Sequence, residues 1–381
     1  MPVLVCVPTY NEAENIEQFI NAVFEHCPSD ADILVIDDTS PDGTADIVER
    51  LMAAYRERWT SGGSPRLHIL KRPGKQGGAS AFLQGFAWGI DNGYDAMLAT
   101  DADFSHDPKY IPMLLENAGK SENNVVVGSR LVAGGGIENR TFTRNLISRG
   151  ASLYCRLILT PGIKDWTGGF NLWPKDALIK IDFKNIVTRG YSFQIELKYK
   201  AFMAGFKITE VPIVFPDRKY GVSKMPASYF AKALFDVWRI KYMCMKTGVK
   251  QFVKFGITGG LGTITNLILF FILADKAALH EIPVSIGCFI AAGTQNYIIN
   301  HKWSFANNTG TSKVTVKKWA LFLISSLAGL LANIAVMTGI IMAFRLPYKF
   351  IAQACGIAAG MFINFFISRT TVFGRGKNAD K

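Results

Sequence analysis

The chain is poor in charge. Of its 381 residues, 19% are Asp, Glu, Lys or Arg and 49% are hydrophobic, and the mean hydropathy is +0.18. An ordinary soluble domain carries about 25% charged residues. This balance excludes a disordered or collagen-like chain. Acid is scarcest toward the C-terminus, where only Asp275, Glu281 and Asp380 follow Phe252. The cysteines Cys6, Cys27, Cys155, Cys244, Cys288 and Cys355 include no Cys-X-X-Cys pair. Neither a zinc ribbon nor a disulfide framework is indicated, and a reducing compartment fits. No Gly-X-Gly-X-X-Gly follows the first apolar run and no Gly-X4-Gly-Lys-Ser/Thr occurs, which argues against a Rossmann dinucleotide site and a Walker-type NTPase. The opening MPVLVCVPTYNE has neither the basic start nor the long apolar core of a signal peptide, so the soluble part is expected to stay on the side where it is made.

The apolar excess is concentrated in four runs: Phe252–Leu273, Ile282–Ile299, Trp319–Phe344 and Tyr348–Phe366. Each reaches or nearly reaches the ~20 residues that cross a bilayer core. Four such runs in succession leave no polar face for water, which favours membrane spans over buried helices of a soluble core. Basic residues set their orientation. Lys246, Lys250, Lys254, Lys302, Lys313, Lys317, Lys318, Arg369, Arg375, Lys377 and Lys381 fall on one side, against Lys276, Arg345 and Lys349 on the other. An integral membrane protein is expected, with both termini and the soluble domain cytoplasmic. The net charge of +12 needs no nucleic acid, because a basic rim facing anionic membrane lipid accounts for it. The runs also repeat: Asn296–Phe305 aligns with Asn364–Phe373 at an offset of 68, and Asn266 with Asn333 at 67. Two tandem helical hairpins of the same orientation are expected, their Asn residues acting as interhelical hydrogen-bond glue. Between the soluble part and the spans, residues 225–250 mix Tyr229, Phe230, Leu234, Phe235, Trp238 and Tyr242 with Lys232, Arg239, Lys241 and Lys246, a pattern of amphipathic interfacial helices.

In the N-terminal part, the short apolar runs Val3–Val7, Ile33–Ile36, Leu67–Leu70 and Met97–Thr100 alternate with helical segments. This pattern predicts an α/β domain, a parallel sheet with helices on both faces. Ligands of such sheets bind outside the carboxyl ends of the strands, where Asp37, Asp38, Asp101 and Asp103 fall. Four carboxylates on one edge repel unless something positive lies among them. A divalent cation is expected, and oxygen ligands favour Mg²⁺ or Mn²⁺ held by one or two carboxylates plus substrate phosphates. The Asp-X-Asp spacing puts both side chains on the same side of an extended backbone.

VCVPTYNE, VIDDTSPDGT, DADFSHDP, VVGSR, DWTGGF, GYSFQIEL and EVPIVFPDRKYGVSK occur here in that order. Over about residues 3–225 the chain resembles family 2 glycosyltransferases, in particular the dolichol- or polyprenol-phosphate mannose synthases, and its spans resemble the membrane domain fused to some of them. The resemblance implies an A-type glycosyltransferase fold with a Rossmann-like, parallel-rich sheet over residues 1–224, interfacial helices over 225–250, and a four-helix transmembrane domain over 251–381. It further implies that Pro8, Tyr10, Glu12, Ile36 and Asp38 hold base and ribose, and that Asp101, Ala102 and Asp103 meet ribose, diphosphate and metal. Ser105 stands at the usual Gln of the metal site. Arg218 and Lys224 match the pair that clamps the diphosphate, and Arg130 and Arg144 the positions that meet the acceptor phosphate.

The implied activity is transfer of mannose from GDP-mannose to dolichyl or polyprenyl phosphate. The acceptor monophosphate, with a second pKa of about 6, is a dianion at neutral pH. It needs guiding by arginine forks more than deprotonation, so His106 reads as a neighbour of the metal site before it reads as a base. One-step displacement inverts the sugar carbon to a β-linked product. The alternatives are a UDP-sugar donor (glucose or an amino sugar) and, in another class, a non-catalytic transporter or sensor of lipid-linked sugar. No Gln-X-X-Arg-Trp follows the Asp-X-Asp, which disfavours a processive polysaccharide synthase. Lys71–Lys75 suggests a phosphate contact after the third strand or a solvated turn, Gly134–Gly136 a mobile acceptor loop or a plain surface loop, and Asp165 and Gly169 a sugar pocket or a tight turn. Glu196 reads as an acceptor-side or surface acid.

Overall fold

The four apolar runs of the N-terminal half become strands of one seven-stranded sheet, which three strands not read from the sequence complete. The seven are β1 (Val3–Thr9), β2 (Ala31–Asp37), β3 (Leu67–Lys71), β4 (Ala96–Ala99), β5 (Asn124–Ser129), β6 (Asn171–Pro174) and β7 (Lys207–Pro212). The computed structural model describes residues 1–27, 31–54, 60–61, 64–120, 124–138, 142–216, 228–309, 313–344 and 349–374. The chain folds into two compact units, Met1–Cys244 and Met245–Lys381.

The strand order is β7-β5-β6-β4-β1-β2-β3. Neighbours pair in parallel except β6, which runs antiparallel between β4 and β5. Helices cover both faces, which is why the central strands are apolar without alternation. Val3, Val5 and Val7 enter one core, and Leu4 and Cys6 the other. The helix Gly78–Asp91 lies so close to the sheet that a Cβ on Gly85 would stand 2.7 Å from Ile36 Cδ1. The reversed strand β6 matters for function. Its amino end lies at the same edge as the carboxyl ends of β4 and β5, so the Asp165–Gly169 loop before it reaches that edge.

The helix Ser228–Cys244, expected as part of a separate interfacial segment, packs into the first unit. Its Val237 and Ile240 are buried with Cys155, Leu159, Ile163, Trp166, Ile195 and Tyr199. Its other face leaves Leu234, Phe235 and Trp238 exposed, and the helix Phe142–Ile158 exposes Leu146, Ile147, Leu153 and Leu157. The two helices touch, with Tyr154 Oη donating to the Leu234 carbonyl (3.2 Å).

The second unit holds four helices long and apolar enough to cross a membrane: Thr247–Lys276, Glu281–Ser304, Val316–Ala343 and Ile351–Val372. The repeat seen in the sequence is present in the packing. Phe305 stacks on its equivalent Phe373, with centroids 4.7 Å apart. Around that pair the contacts come in twos: Tyr297–Phe373 and Phe305–Phe365 are both 5.8 Å, and Phe255–Phe305 (6.1 Å) matches Phe322–Phe373 (5.9 Å). Both second helices end in a π-helical turn, Asn300–Ser304 and Ser368–Val372. The Asn residues partly bear out the expected glue. Asn364 Oδ1 accepts from Ser325 and Ser368, whereas the side-chain oxygens of Asn296, Asn300 and Asn333 have no hydrogen-bond partner. The third and fourth helices meet backbone to backbone at Gly329 and Gly360, where a Cβ on Gly329 would lie 2.9 Å from the Gly360 carbonyl oxygen. A Cβ on Gly360 would press on the Gly329 carbonyl oxygen still harder. Gly360→Ala is therefore expected to destabilise this unit by about 1–3 kcal/mol; an unchanged melting temperature of the detergent-solubilised protein would contradict that packing.

Candidate active site

Three loops meet at the carboxyl edge, and hydrogen bonds stitch the first two together. Asn11 N–H donates to Ser40 Oγ (3.1 Å), Glu12 N–H to Thr44 Oγ1 (3.0 Å) and Ala13 N–H to Asp42 Oδ2 (3.0 Å). Asn11, Thr39 and Phe104, which follow β1, β2 and β4, all adopt left-handed backbone (φ 61°, 57° and 59°). Non-glycine residues in that region cost on the order of 1–3 kcal/mol each and gather at functional sites. The only other such residues among those described are Asp182 and Ala278.

The expected ring of four carboxylates resolves into two different pairs. Asp37 is buried and accepts from Thr9 Oγ1 (3.0 Å), Ser40 N–H (2.9 Å) and Ser40 Oγ (2.5 Å). Asp38 meets the Arg72 guanidinium at 2.5 Å, with side chains only 5% and 1% exposed, and accepts from the N–H groups of Gln76 (3.0 Å) and Gly77 (2.9 Å). The positive group beside this pair is thus an arginine, and Arg72, read from its motif as a phosphate contact, is engaged by Asp38. Ile36 is wholly buried in the core, so only its backbone reaches the edge. Pro8, Tyr10 and Glu12 are half-buried. Lys75 Nζ sits 3.7 Å from the Tyr10 ring centroid, and Glu12 accepts from Asn15 Nδ2 (2.9 Å).

Asp101 and Asp103 make the other pair. The Asp101 side chain is 49% exposed. Asp103 is buried and accepts from Ser105 N–H (3.1 Å). Ala102 and Ser105 are buried as well. Among the described residues no three His, Cys, Asp or Glu side chains gather as a metal cage. Two hard carboxylates without a cage suit an ion that takes its other ligands from phosphate and water, as Mg²⁺ or Mn²⁺ does; the donor set fits. His106 holds the turn from below. Its Nδ1 accepts from Asp101 N–H (3.1 Å) and its ring stacks on Phe170 (5.1 Å, 9°).

At the end of β5, Arg130 is buried against Asp165. Its backbone N–H (3.0 Å) and Nε (2.8 Å) donate to Oδ2, and Nη2 donates to Oδ1 (2.7 Å) and to Thr167 Oγ1 (2.9 Å). Burial alone would raise the Asp165 pKa; hydrogen bonding and charge from Arg130, with the charge of Lys198, outweigh it and hold the carboxyl at about 2. Asp165 also accepts from Gly168 N–H (3.0 Å), so it makes the tight turn and carries the arginine. Glu196 is no surface acid: it is wholly buried and accepts from the N–H groups of Val187 and Thr188, the Thr188 hydroxyl (2.8 Å) and Lys200 (3.0 Å). Gly134 has φ +83° and Gly136–Ile137 pairs in parallel with Val214–Phe215, so the glycine run forms one side of a small sheet. Arg144 starts the helix Phe142–Ile158, but its side chain lies outside the described residues, as do Arg218 and Lys224. Sequence reasoning missed Lys198 and Glu210, which brace the Asp165 loop.

Residues 4–182 match the family described as "Glycosyl transferase family 2", and residues 254–373 that described as "GtrA/DPMS, transmembrane domain". The polyprenol monophosphomannose synthase of Mycolicibacterium smegmatis is 39% identical over 240 residues, 62% of this chain and 87% of that protein. The undecaprenyl-phosphate mannosyltransferase of Micrococcus luteus is 37% identical over 239 residues, 63% of this chain and 93% of that one. Glucosyl-3-phosphoglycerate synthase of Mycobacterium tuberculosis is 17% identical with a TM-score of 0.44, covering 64% of this chain and 79% of that one. With a carboxylate-bearing turn at the end of β4, four long apolar helices C-terminal to the sheet domain and these two relatives, the chain belongs to the polyprenol-phosphate mannose synthase family of family 2 glycosyltransferases and carries a GtrA/DPMS membrane domain.

Proposed function

We propose that the protein transfers one mannosyl residue from GDP-mannose to a dolichyl or polyprenyl phosphate, with inversion at the sugar carbon. The observation that carries this reading is the Asp101–Asp103 turn standing at the same sheet edge as the buried Arg130–Asp165 fork. One feature suits a leaving nucleoside diphosphate, and the other an incoming phosphate. The acceptor oxygen bonds to the anomeric carbon as the bond to the diphosphate oxygen breaks, so an α-linked donor gives a β-linked product and no proton need leave the attacking dianion. Asp101 and Asp103 would hold Mg²⁺ or Mn²⁺, which when bound neutralises charge growing on the leaving diphosphate. Asp103 is held for that task by the Ser105 amide, and Asp101 by His106. Arg130 and Arg144 orient the acceptor phosphate, and Arg218 and Lys224 clamp the diphosphate. Tyr10 and Glu12 lie where a nucleoside would enter.

The exposed apolar faces of Phe142–Ile158 and Ser228–Cys244 would lie on the bilayer surface, among Arg149, Lys232 and Arg239, which brings a lipid-anchored phosphate to the site. Loop charge supports a cytoplasmic position for this domain and both termini. The test is a donor screen on the purified full-length protein, with GDP- and UDP-sugars, a polyprenyl phosphate and Mg²⁺ or Mn²⁺. A β-linked lipid phosphomannose from GDP-mannose is expected. Product from a UDP-sugar alone would replace the donor, and no lipid product from any nucleotide sugar would discard the reading. Because every chemical motif precedes Phe252, removal of residues 252–381 should leave measurable transfer in that assay; complete loss in a folded truncation would show that the spans help build the site.

A further inference from the structure

Lys198 is wholly buried, a state in which lysine is almost never found without partners. It projects from the helix Tyr191–Met203, and its ammonium donates to the backbone carbonyls of Asp165 (2.9 Å), Gly168 (2.8 Å) and Trp166 (3.4 Å). From β7, the carboxylate of Glu210 accepts the N–H groups of Lys164 (2.8 Å) and Asp165 (2.8 Å). One short loop is therefore gripped by an ammonium on its carbonyls and a carboxylate on its amides. That loop carries the side chains that fix Arg130: both oxygens of Asp165 and the hydroxyl of Thr167.

Two buried cations meet at Asp165, Arg130 on its carboxylate and Lys198 on its backbone carbonyl. Burial pushes the Lys198 pKa down to about 8. Asp165, Glu210 and Cys155 pull it up, and Arg130 pushes it further down. A neutral side chain of the same length would fill the space without that cost, but it would not supply donors to three carbonyls. All three carbonyls that the ammonium meets lie on the loop whose Asp165 and Thr167 side chains hold Arg130.

We propose that Lys198 is a positioning residue for the acceptor phosphate: it locks the Asp165–Gly168 loop and, through Asp165 and Thr167, holds the guanidinium of Arg130 in place. This rests on the reading above that Arg130 meets that phosphate. The test uses the full-length protein in phospholipid nanodiscs, with Lys198→Met and Lys198→Arg. Transfer kinetics are followed against both substrates from neutral to alkaline pH, and polyprenyl phosphate binding is measured separately without donor. Lys198→Met should raise the KM for the lipid phosphate by about tenfold to a hundredfold, the scale of a misplaced orienting group, with the nucleotide-sugar KM unchanged. In the wild type, lipid phosphate binding and kcat/KM for the lipid should fall along an alkaline limb near pH 8. That limb should be absent from Lys198→Met, which has no proton to lose, and from Lys198→Arg, whose guanidinium stays charged throughout. A Lys198→Met protein with the wild-type acceptor KM and the wild-type limb overturns the assignment. If neither variant folds, Thr167→Val, which takes the loop's hydroxyl from Arg130, decides, and a wild-type acceptor KM in that variant overturns it. Wild-type protein that binds the lipid phosphate but transfers no sugar would instead overturn the functional reading, and the binding comparison would still judge Lys198.

Discussion

Asp103→Asn should lower kcat for sugar transfer by about 10²–10³-fold, the loss seen when a group stabilising transition-state charge is removed, with little change in melting temperature. The two effects separate because of what the carboxylate does. One oxygen, Oδ1, accepts the Ser105 amide, and the amide oxygen of Asn takes over that bond, so the turn through left-handed Phe104 (φ 59°) survives. What Asn does not replace is the negative charge that a divalent cation requires. Initial rates at saturating nucleotide sugar, measured across Mg²⁺ and Mn²⁺ concentrations, give the readout. Full activity in Asp103→Asn would remove Asp103 from the metal site. A large drop in melting temperature would recast it as a structural acid.

Asp38→Ala should act in the opposite way, on stability first. It strips the carboxylate from a guanidinium that is 1% exposed, and an uncompensated buried charge costs about 3–5 kcal/mol. The N–H groups of Gln76 and Gly77 lose their acceptor as well. A double variant, Asp38→Asn with Arg72→Met, removes both charges and keeps an acceptor for those amides, so it should lose less than the two single losses added together. Thermal unfolding of the full-length protein compares these variants with the wild type. If Asp38→Ala leaves the melting temperature unchanged and raises only the KM for the nucleotide sugar, Asp38 is a ligand and the ion pair is incidental.

The Asp38–Arg72 pair bears on how far a sequence can be read. A strand-end Asp-Asp was legible as the end of β2, and its place at the ligand edge followed from topology rules. Its partner was not legible, because Arg72 is brought to it by the parallel register of β2 with β3. The same Arg72 was read from its own motif as facing phosphate. Each half of the ion pair looked like a site residue when seen alone. Glu196 likewise looked like a surface acid because nothing local announces that Val187 and Thr188 fold back onto it. By contrast, Asp101 and Asp103 were legible together, since two residues on one turn need no distant partner to be neighbours.

What the sequence by itself determined is whatever short-range pattern encodes: four of the strands, the four long apolar helices, the tandem repeat and the closeness of Asp101 to Asp103, although the backbone there bends where an extended one was expected. Two-sided burial demands unbroken apolar runs, a bilayer demands about 20 apolar residues in succession, and repetition survives as matching aromatic contacts around Phe305 and Phe373. What only the tertiary structure decided is which charges answer which. β6 enters antiparallel, and that reversal carries the Asp165 loop to the carboxyl edge of the sheet, where Arg130, Lys198 and Glu210 converge from three other elements. Arg130 and Glu210 lie 80 positions apart in the chain, and a buried charge is satisfied by whatever the fold brings within about 3 Å of it, not by its neighbours in sequence.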